Sequence, residues 1–150
     1  MRKQERVFRC LQAGQSTVDF MSGAELKILI VDDSMIMRRI IASFLAKMGY
    51  DTVVQAPGVS AAREILAKEK PILVISDYSM PVLTGLDLLR QIRCDPEQKD
   101  LAFVMITAEA QLCEILSAFR GGVDYYVTKP FTRDYLEYVL QRALAGRVSR

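Results

Sequence analysis

Histidine is absent from the 150 residues. That excludes Ser-His-Asp and Cys-His nucleophilic sites, imidazole-ligated metals and any phosphohistidine carried on this chain. Cysteine is sparse. Cys10, Cys94 and Cys113 are odd in number and widely separated, which reads as reduced thiols rather than a disulfide frame or a zinc cluster. No apolar run approaches the roughly eighteen residues that a membrane span requires. The basic start, MRKQERVFRCLQAG, lacks the apolar stretch of a secretory signal, so a cytoplasmic location is expected. An excess of one charge is missing too. The 20 Lys+Arg against 18 Asp+Glu leave a net charge of +2, too little for a general nucleic-acid binder. Neither nucleic acid nor membrane is expected as a direct partner.

What is present is an ordinary globular balance, 51% apolar and 25% charged, in a length that suits one domain. Residues 1–25 mix Arg, Lys, Gln, Gly and Ser with little periodicity and read as a flexible extension, with Met21 a plausible alternative start. From Leu26 the pattern becomes regular. Short β-branched apolar runs alternate with amphipathic stretches of helix length. The strand candidates are Leu26–Val31, Thr52–Gln55, Ile72–Ser76, Ala102–Ile106 and Asp124–Val127. Three are nearly continuous apolar runs, as expected of central parallel strands covered on both faces.

The helix candidates lie between them. Ser34 is placed to cap the first, with Ile36, Ile40, Phe44 and Met48 as its apolar row, Ile41 and Leu45 filling the stripe, and Gly49 ending it. A second spans Val59 to Lys68, and a third spans Gly85 to Arg93. A fourth, Gln111–Arg120, carries Leu112, Ile115, Leu116 and Phe119 at helical spacing. The last follows Pro130, with Thr132 as cap and Leu136, Val139, Leu140 and Ala143 inward. Five βα units with right-handed crossovers make an α/β protein, a doubly wound five-stranded parallel sheet with five helices. Residues 26–145 form the domain and 146–150 a tail. Function in such sheets sits at the carboxyl ends of the strands.

Those ends carry the chemistry. The first strand runs into Asp32-Asp33, the third into Asp77, the fourth into Thr107 and the fifth into Lys129. Three carboxylates, a hydroxyl and an ammonium therefore converge on one rim. Two unit charges about 4 Å apart repel by about 4 kcal/mol at an effective dielectric of 20. Any one of these acids alone reads best as a cap or a solvated loop residue. All three together, each following an apolar strand, read better as a site. A hard divalent cation relieves the repulsion, and oxygen ligands in a partly open site favour Mg²⁺ over zinc or copper. With Lys129 and a Thr hydroxyl beside it, such a site is equipped to hold phosphoryl oxygens while one acid acts as nucleophile.

Val31-Asp32-Asp33-Ser34, Asp77-Tyr78-Ser79-Met80-Pro81-Val82-Leu83-Thr84-Gly85, Thr107-Ala108 and Lys129-Pro130-Phe131 occur in an order and spacing that resemble the receiver domain of bacterial two-component response regulators. The likeness is nearest to the stand-alone chemotaxis (CheY-like) type and covers residues 26–145. Each segment alone is weak; the ordered set of four is specific. The resemblance implies a flavodoxin-like sheet of order 2-1-3-4-5. It also implies that Asp77 accepts a phosphoryl group from a histidine kinase as an acyl phosphate. Asp33, Asp77 and the backbone carbonyl of Ser79 would bind Mg²⁺ directly, with Asp32 acting through water. Lys129 would pair with Asp77, Thr107 would donate to the phosphoryl group, and Tyr126 would swing inward as Thr107 moves. The Lys129–Pro130 peptide would be cis. Tyr125 competes with Tyr126 on spacing, but strand alternation turns only one of the pair toward Thr107. Ser79 and Glu109 would tune the lifetime of the acyl phosphate.

Chemotaxis proteins that bind the flagellar motor carry lysines where this chain has Gln111, Leu112 and Val139. With Tyr135 and Tyr138 nearby, the face of the fourth helix, fifth strand and fifth helix reads as apolar and aromatic. Leu112 and Val139 are then either core residues or part of a surface for a different partner or a second copy. The expected function is a phosphorylation-controlled switch without an output module of its own. It is no enzyme beyond self-catalysed phosphotransfer and autodephosphorylation. The alternative, an aspartyl-nucleophile phosphatase-like hydrolase, would place D-x-D after the first strand, where this chain has adjacent acids. A flavin or nucleotide carrier would need a phosphate loop after the first strand, which is missing.

Overall fold

The computed structural model describes residues 26–108 and 111–148. The expectations for residues 1–25, among them Cys10 and Met21, and for Glu109 lie outside the described residues. Five strands and five helices alternate without exception: β1 (Lys27–Val31), α1 (Met35–Lys47), β2 (Thr52–Ala56), α2 (Val59–Glu69), β3 (Leu73–Asp77), α3 (Gly85–Cys94), β4 (Ala102–Thr107), α4 (Leu112–Arg120), β5 (Tyr125–Thr128) and α5 (Arg133–Val148). The strands form one parallel sheet in the order β2-β1-β3-β4-β5. The order reverses between β1 and β3, so a crevice opens at their carboxyl ends. Strand and helix limits differ from those expected by a residue or two. α5 is the exception at its far end, where it continues to Val148 through residues expected as a tail.

Strand alternation divides the core into two layers. Ile28, Ile30, Leu73, Ile75, Val104 and Ile106 face α1 and α5. Leu29, Val31, Val74, Phe103 and Met105 face α2, α3 and α4. β3 and β4 are buried along their whole length, which is why their sequences lack alternation. The same pleat settles Tyr125 and Tyr126. Tyr125 packs with the α1/α5 layer and Tyr126 with the other. By alternation from Met105, Thr107 also points to that other layer, so Tyr126 shares its face.

One helix buries only part of the stripe expected, and another leaves most of it exposed. In α1 the buried row is Ile41 and Leu45. Ile36 and Ile40 are exposed, Ile36 by 70%, because a row at every fourth residue drifts around the helix and only its far end, Phe44 and Met48, reaches the core. In α4 only Ala118 is buried. Leu112 (71% exposed), Leu116 and Phe119 face outward. Leu112 and Val139 thus part company: Val139 is fully buried in the α5 stripe with Leu136, Leu140 and Ala143, while Leu112 belongs to the surface. Among the described residues no helix is long and apolar enough to cross a membrane.

The amino ends of β4 and β5 are tied by Arg93. Its guanidinium donates to the carbonyls of Gly122 (3.0 Å), Lys99 (3.0 Å) and Leu101 (2.7 Å) and pairs with Asp124 at 3.3 Å. Asp124 also accepts from the amide of Phe103 at 2.8 Å. Both charges are largely buried, and the pair balances.

Candidate functional site

The opposite end of the sheet is built differently. β1 runs buried through the centre and emerges at Asp32, whose amide still donates to Ala56 on β2 (3.1 Å). The Asp32 carboxylate then accepts from the amide of Ser34 at 2.8 Å, an Asx turn that reverses the chain. Ser34 in turn accepts from the amide of Met37 and caps α1 as expected. Asp33 sits at the tip of this turn, exposed, while Asp32 beneath it is 2% exposed.

Asp77 is the last residue of β3. The chain leaves it through Tyr78, whose amide donates to Ile106 (2.9 Å) and whose carbonyl accepts from Gly85 (2.9 Å). That brings the first turn of α3 against the strand end. A side chain at Gly85 would place its Cβ 2.2 Å from the Asp77 carbonyl oxygen, so this approach requires glycine. α3 starts on a capping box in which Thr84 accepts from the Asp87 amide (3.2 Å) and Asp87 from the Thr84 amide (2.8 Å). The T-x-x-D spacing of Thr84 and Asp87 is the sequence signal of that box. Between Asp77 and the cap, Ser79 is exposed. Val82 is centre of a γ-turn, with φ at 71° and Leu83 donating to Pro81 (2.9 Å). A β-branched residue rarely adopts that backbone.

Lys129 follows β5 and precedes a cis peptide to Pro130, the isomer expected. Its amide donates to the carbonyl of Thr107 at 2.7 Å. Its ammonium lies 3.6 Å from both Asp32 Oδ2 and Asp77 Oδ1. The lysine therefore spans two carboxylates, where the resemblance implied one. Thr107, buried at the end of β4, stands one residue beyond the Asp77–Ile106 register pair. Tyr126 lies two register pairs behind Thr107, on the same sheet face, and its hydroxyl is buried. Burial and the charge of Glu114 hold this phenol above its usual pKa, with the Thr107 hydroxyl offsetting part of the rise.

One oxygen from each of Asp32, Asp33 and Asp77 falls within 4.8 Å of the others. Three carboxylates thus face one ammonium. Burial, and then the neighbouring Asp32 charge, push Asp77 up to about 6, against the pull of Lys129. Asp32 is raised as well, mainly by burial, despite the Ser34 amide and Lys129. Burial is the first cause in both, and a cation entering the site would offset it by favouring the charged carboxylates. A donor set of oxygens alone, with one ligand open to water, fits a hard divalent cation. Asp32, Asp33, Asp77, Thr107 and Lys129 therefore share one rim, with Tyr126 behind Thr107 on the same sheet face. The residue missed is Arg38, whose guanidinium reaches back from α1 to the Asp32 carbonyl at 2.7 Å; nothing in its helical spacing signals that contact.

Comparison with known proteins agrees with this geometry. The family model described as response regulator receiver domain matches residues 28–141. The chain is 39% identical over 120 residues to chemotaxis protein CheY1 of Helicobacter pylori, an alignment covering 79% of this chain and 97% of that protein. It is 41% identical over 117 residues to chemotaxis protein CheY-3 of Vibrio cholerae, covering 78% and 90%. Among solved structures, chemotaxis protein CheY4 of Vibrio cholerae superposes with a TM-score of 0.75 at 30% identity, covering 80% of this chain and 99% of that one. A putative response regulator from Chloroflexus aurantiacus gives 0.77 at 29% identity, covering 81% and 99%.

Proposed function

The chain belongs to the response regulator receiver family, and on that premise we propose that Asp77 is its phosphoacceptor and that the surrounding rim is a Mg²⁺-dependent switch. Proteins of this family are signalling components paired with histidine kinases, and the acidic pocket of Asp32, Asp33 and Asp77 is the place of aspartyl phosphorylation. The observation that carries the finer assignment is the charge imbalance: three carboxylates within 4.8 Å against the single ammonium of Lys129. An oxygen of Asp77 attacks phosphorus. The new P–O bond forms as the P–N bond to the kinase imidazole breaks, and that imidazole, already protonated on its other nitrogen, leaves as the neutral base. Asp33, Asp77 and the Ser79 carbonyl would hold Mg²⁺ directly and Asp32 through water. The cation supplies neutralisation of the phosphoryl charge.

Lys129 is poised between Asp32 and Asp77 and shifts its contact to phosphoryl oxygens when they arrive. Thr107 gains the phosphoryl oxygens as acceptors in the phosphorylated state, so its movement is driven by differential contact. Tyr126, on the same sheet face, follows into the space vacated. The event thereby reaches α4, β5 and α5, whose surface carries Leu112, Leu116, Tyr135 and Tyr138 exposed. That surface meets an output protein or a second copy of this chain. The relatives' names point to chemotaxis-like signalling in the cytoplasm as its setting, and the apolar character of the face favours a partner other than the flagellar motor.

Labelling with radioactive acetyl phosphate tests the assignment. The wild-type chain is expected to take up label in a single stoichiometric step that requires Mg²⁺. Asp77→Asn is expected to abolish it, and Asp33→Ala to weaken Mg²⁺ binding strongly. Full labelling of Asp77→Asn would overturn the assignment, and steady turnover of a phosphate ester would point instead to the hydrolase.

A further inference from the structure

We propose that Arg38 is a positioning residue for the cation site: it clamps the carbonyl of Asp32 and so fixes the peptide from which Asp33 presents its carboxylate. The inference rests on the reading of the acidic rim as a Mg²⁺ site and adds a residue to it.

The turn from Asp32 to Ser34 is anchored on several sides. The Asp32 amide donates to Ala56 of β2 (3.1 Å), and the Asp32 carboxylate accepts from Ser34 (2.8 Å). Arg38 lies one helical turn beyond Ser34, and its own amide donates to the Ser34 carbonyl (3.0 Å). From there its Nη1 reaches back to the Asp32 carbonyl at 2.7 Å. The peptide joining Asp32 to Asp33 is held by that bond. Asp33 needs such help most, because its side chain enters no hydrogen bond or ion pair among the described residues. Its backbone sets the position of its Cα and Cβ, from which the carboxylate reaches the cation.

Two features distinguish this arginine from one that merely balances charge. Among the described residues it forms no ion pair with any carboxylate, although Asp32 and Asp33 adjoin its target. The guanidinium, charged at any working pH, spends its reach on a carbonyl and leaves all three carboxylates available to a cation. Its Nε is also buried with no hydrogen-bond partner among the described residues. Burying a guanidinium nitrogen unsatisfied is costly, and a surface arginine with no positioning task would turn it to water. Groups that orient metal ligands from behind typically alter affinity by about 10- to 100-fold when removed.

Calorimetric Mg²⁺ titration of the full chain tests the clamp. Arg38→Met keeps the packed stem and removes the donors, and Arg38→Ala provides a second variant should the first not fold. Either is expected to bind Mg²⁺ about 10-fold more weakly, while labelling by acetyl phosphate returns to the wild-type rate at saturating Mg²⁺. Arg38→Lys, which can still donate to one carbonyl, is expected to stay within about threefold of wild type. Undiminished Mg²⁺ affinity in a folded Arg38→Met or Arg38→Ala chain overturns the proposal, as does slow labelling that saturating Mg²⁺ fails to restore. Equal weakening in the lysine variant overturns the clamp as a single donated bond. Failure of the wild-type chain itself to bind Mg²⁺ would instead sink the metal site on which the clamp depends.

Discussion

The two ends of the sheet each hold a buried cluster of charge, and they are built on opposite plans. At the amino ends of β4 and β5, Arg93 meets Asp124, and backbone carbonyls and an amide satisfy what remains of both groups. At the carboxyl ends of β1 and β3, the described residues set three carboxylates beside one ammonium, that of Lys129, which pairs with Asp32 and Asp77. The first cluster is neutral and saturated, so it holds chain together and has nothing to offer a ligand. The second is short of cation, and Asp77 stands raised to about 6. Burial is common to both. What separates structure from site is whether the charge closes on itself.

The sharpest way to break this contrast is to open the closed cluster. Arg93→Met leaves Asp124 buried without its partner and is expected to destabilise the fold by about 3–5 kcal/mol, read from denaturant unfolding, by the same amount with and without Mg²⁺. A Mg²⁺-dependent loss would mean that the two ends are not separate.

Removing a charge at the other end is expected to do the reverse. The folded chain retains the Asp77 proton up to about pH 6, whereas the unfolded chain releases it near the ordinary carboxyl value of 3.8. Between those values the folded state binds more protons, so this carboxyl makes stability fall as pH rises and levels off above about 6. The drop amounts to about 3 kcal/mol in the absence of Mg²⁺. Asp77→Asn should flatten that window and be the more stable protein at pH 7.5 without metal. Unfolding curves between pH 4 and 8 would show it, and an Asp77→Asn chain less stable than wild type at pH 7.5 would contradict the charge argument.

Smaller effects sharpen the comparison at the pocket's edge. Val82 holds a positive φ in full exposure, so Val82→Gly is expected to raise stability by about 1 kcal/mol through relief of backbone strain, measured as a higher unfolding midpoint. The smallest change is expected at Leu112. As a surface residue, its replacement by serine should move stability by less than about 0.5 kcal/mol. A loss of about 2–5 kcal/mol, the range for truncating a core leucine, would return it to the core.

Much of this was legible in advance, for particular reasons. β3 and β4 read as buried strands because their apolar runs have no room for alternation. Ser34 and Gly49 read as helix ends because one offers an oxygen to a free amide and the other adopts positive φ cheaply, as its φ of 87° bears out. Asp32, Asp33 and Asp77 read as one site because each follows such a strand, and parallel strands end on one side. The buried face of α4 did not read correctly, and that of α1 only in part: Ile41 and Leu45 are buried as read, Ile36 and Ile40 are not. A stripe of apolar residues states that a helix has a preferred side, but Leu112, Leu116 and Phe119 make as good a stripe as Leu86, Leu89 and Ile92. Only the contacts made by the sheet decide which stripe is covered.

Local pattern, then, determined the order of elements, the parallel sheet and the residues at its rim, since strand period, helix period and caps are properties of neighbouring residues. The tertiary structure alone decided that Lys129 bridges Asp32 and Asp77, that Arg38 turns back to a carbonyl instead of pairing with a carboxylate, and that Arg93 closes the far end. Each of these joins groups whose separation is set by chain packing, and a side chain with a charge and a long stem can satisfy several partners equally well until packing removes all but one.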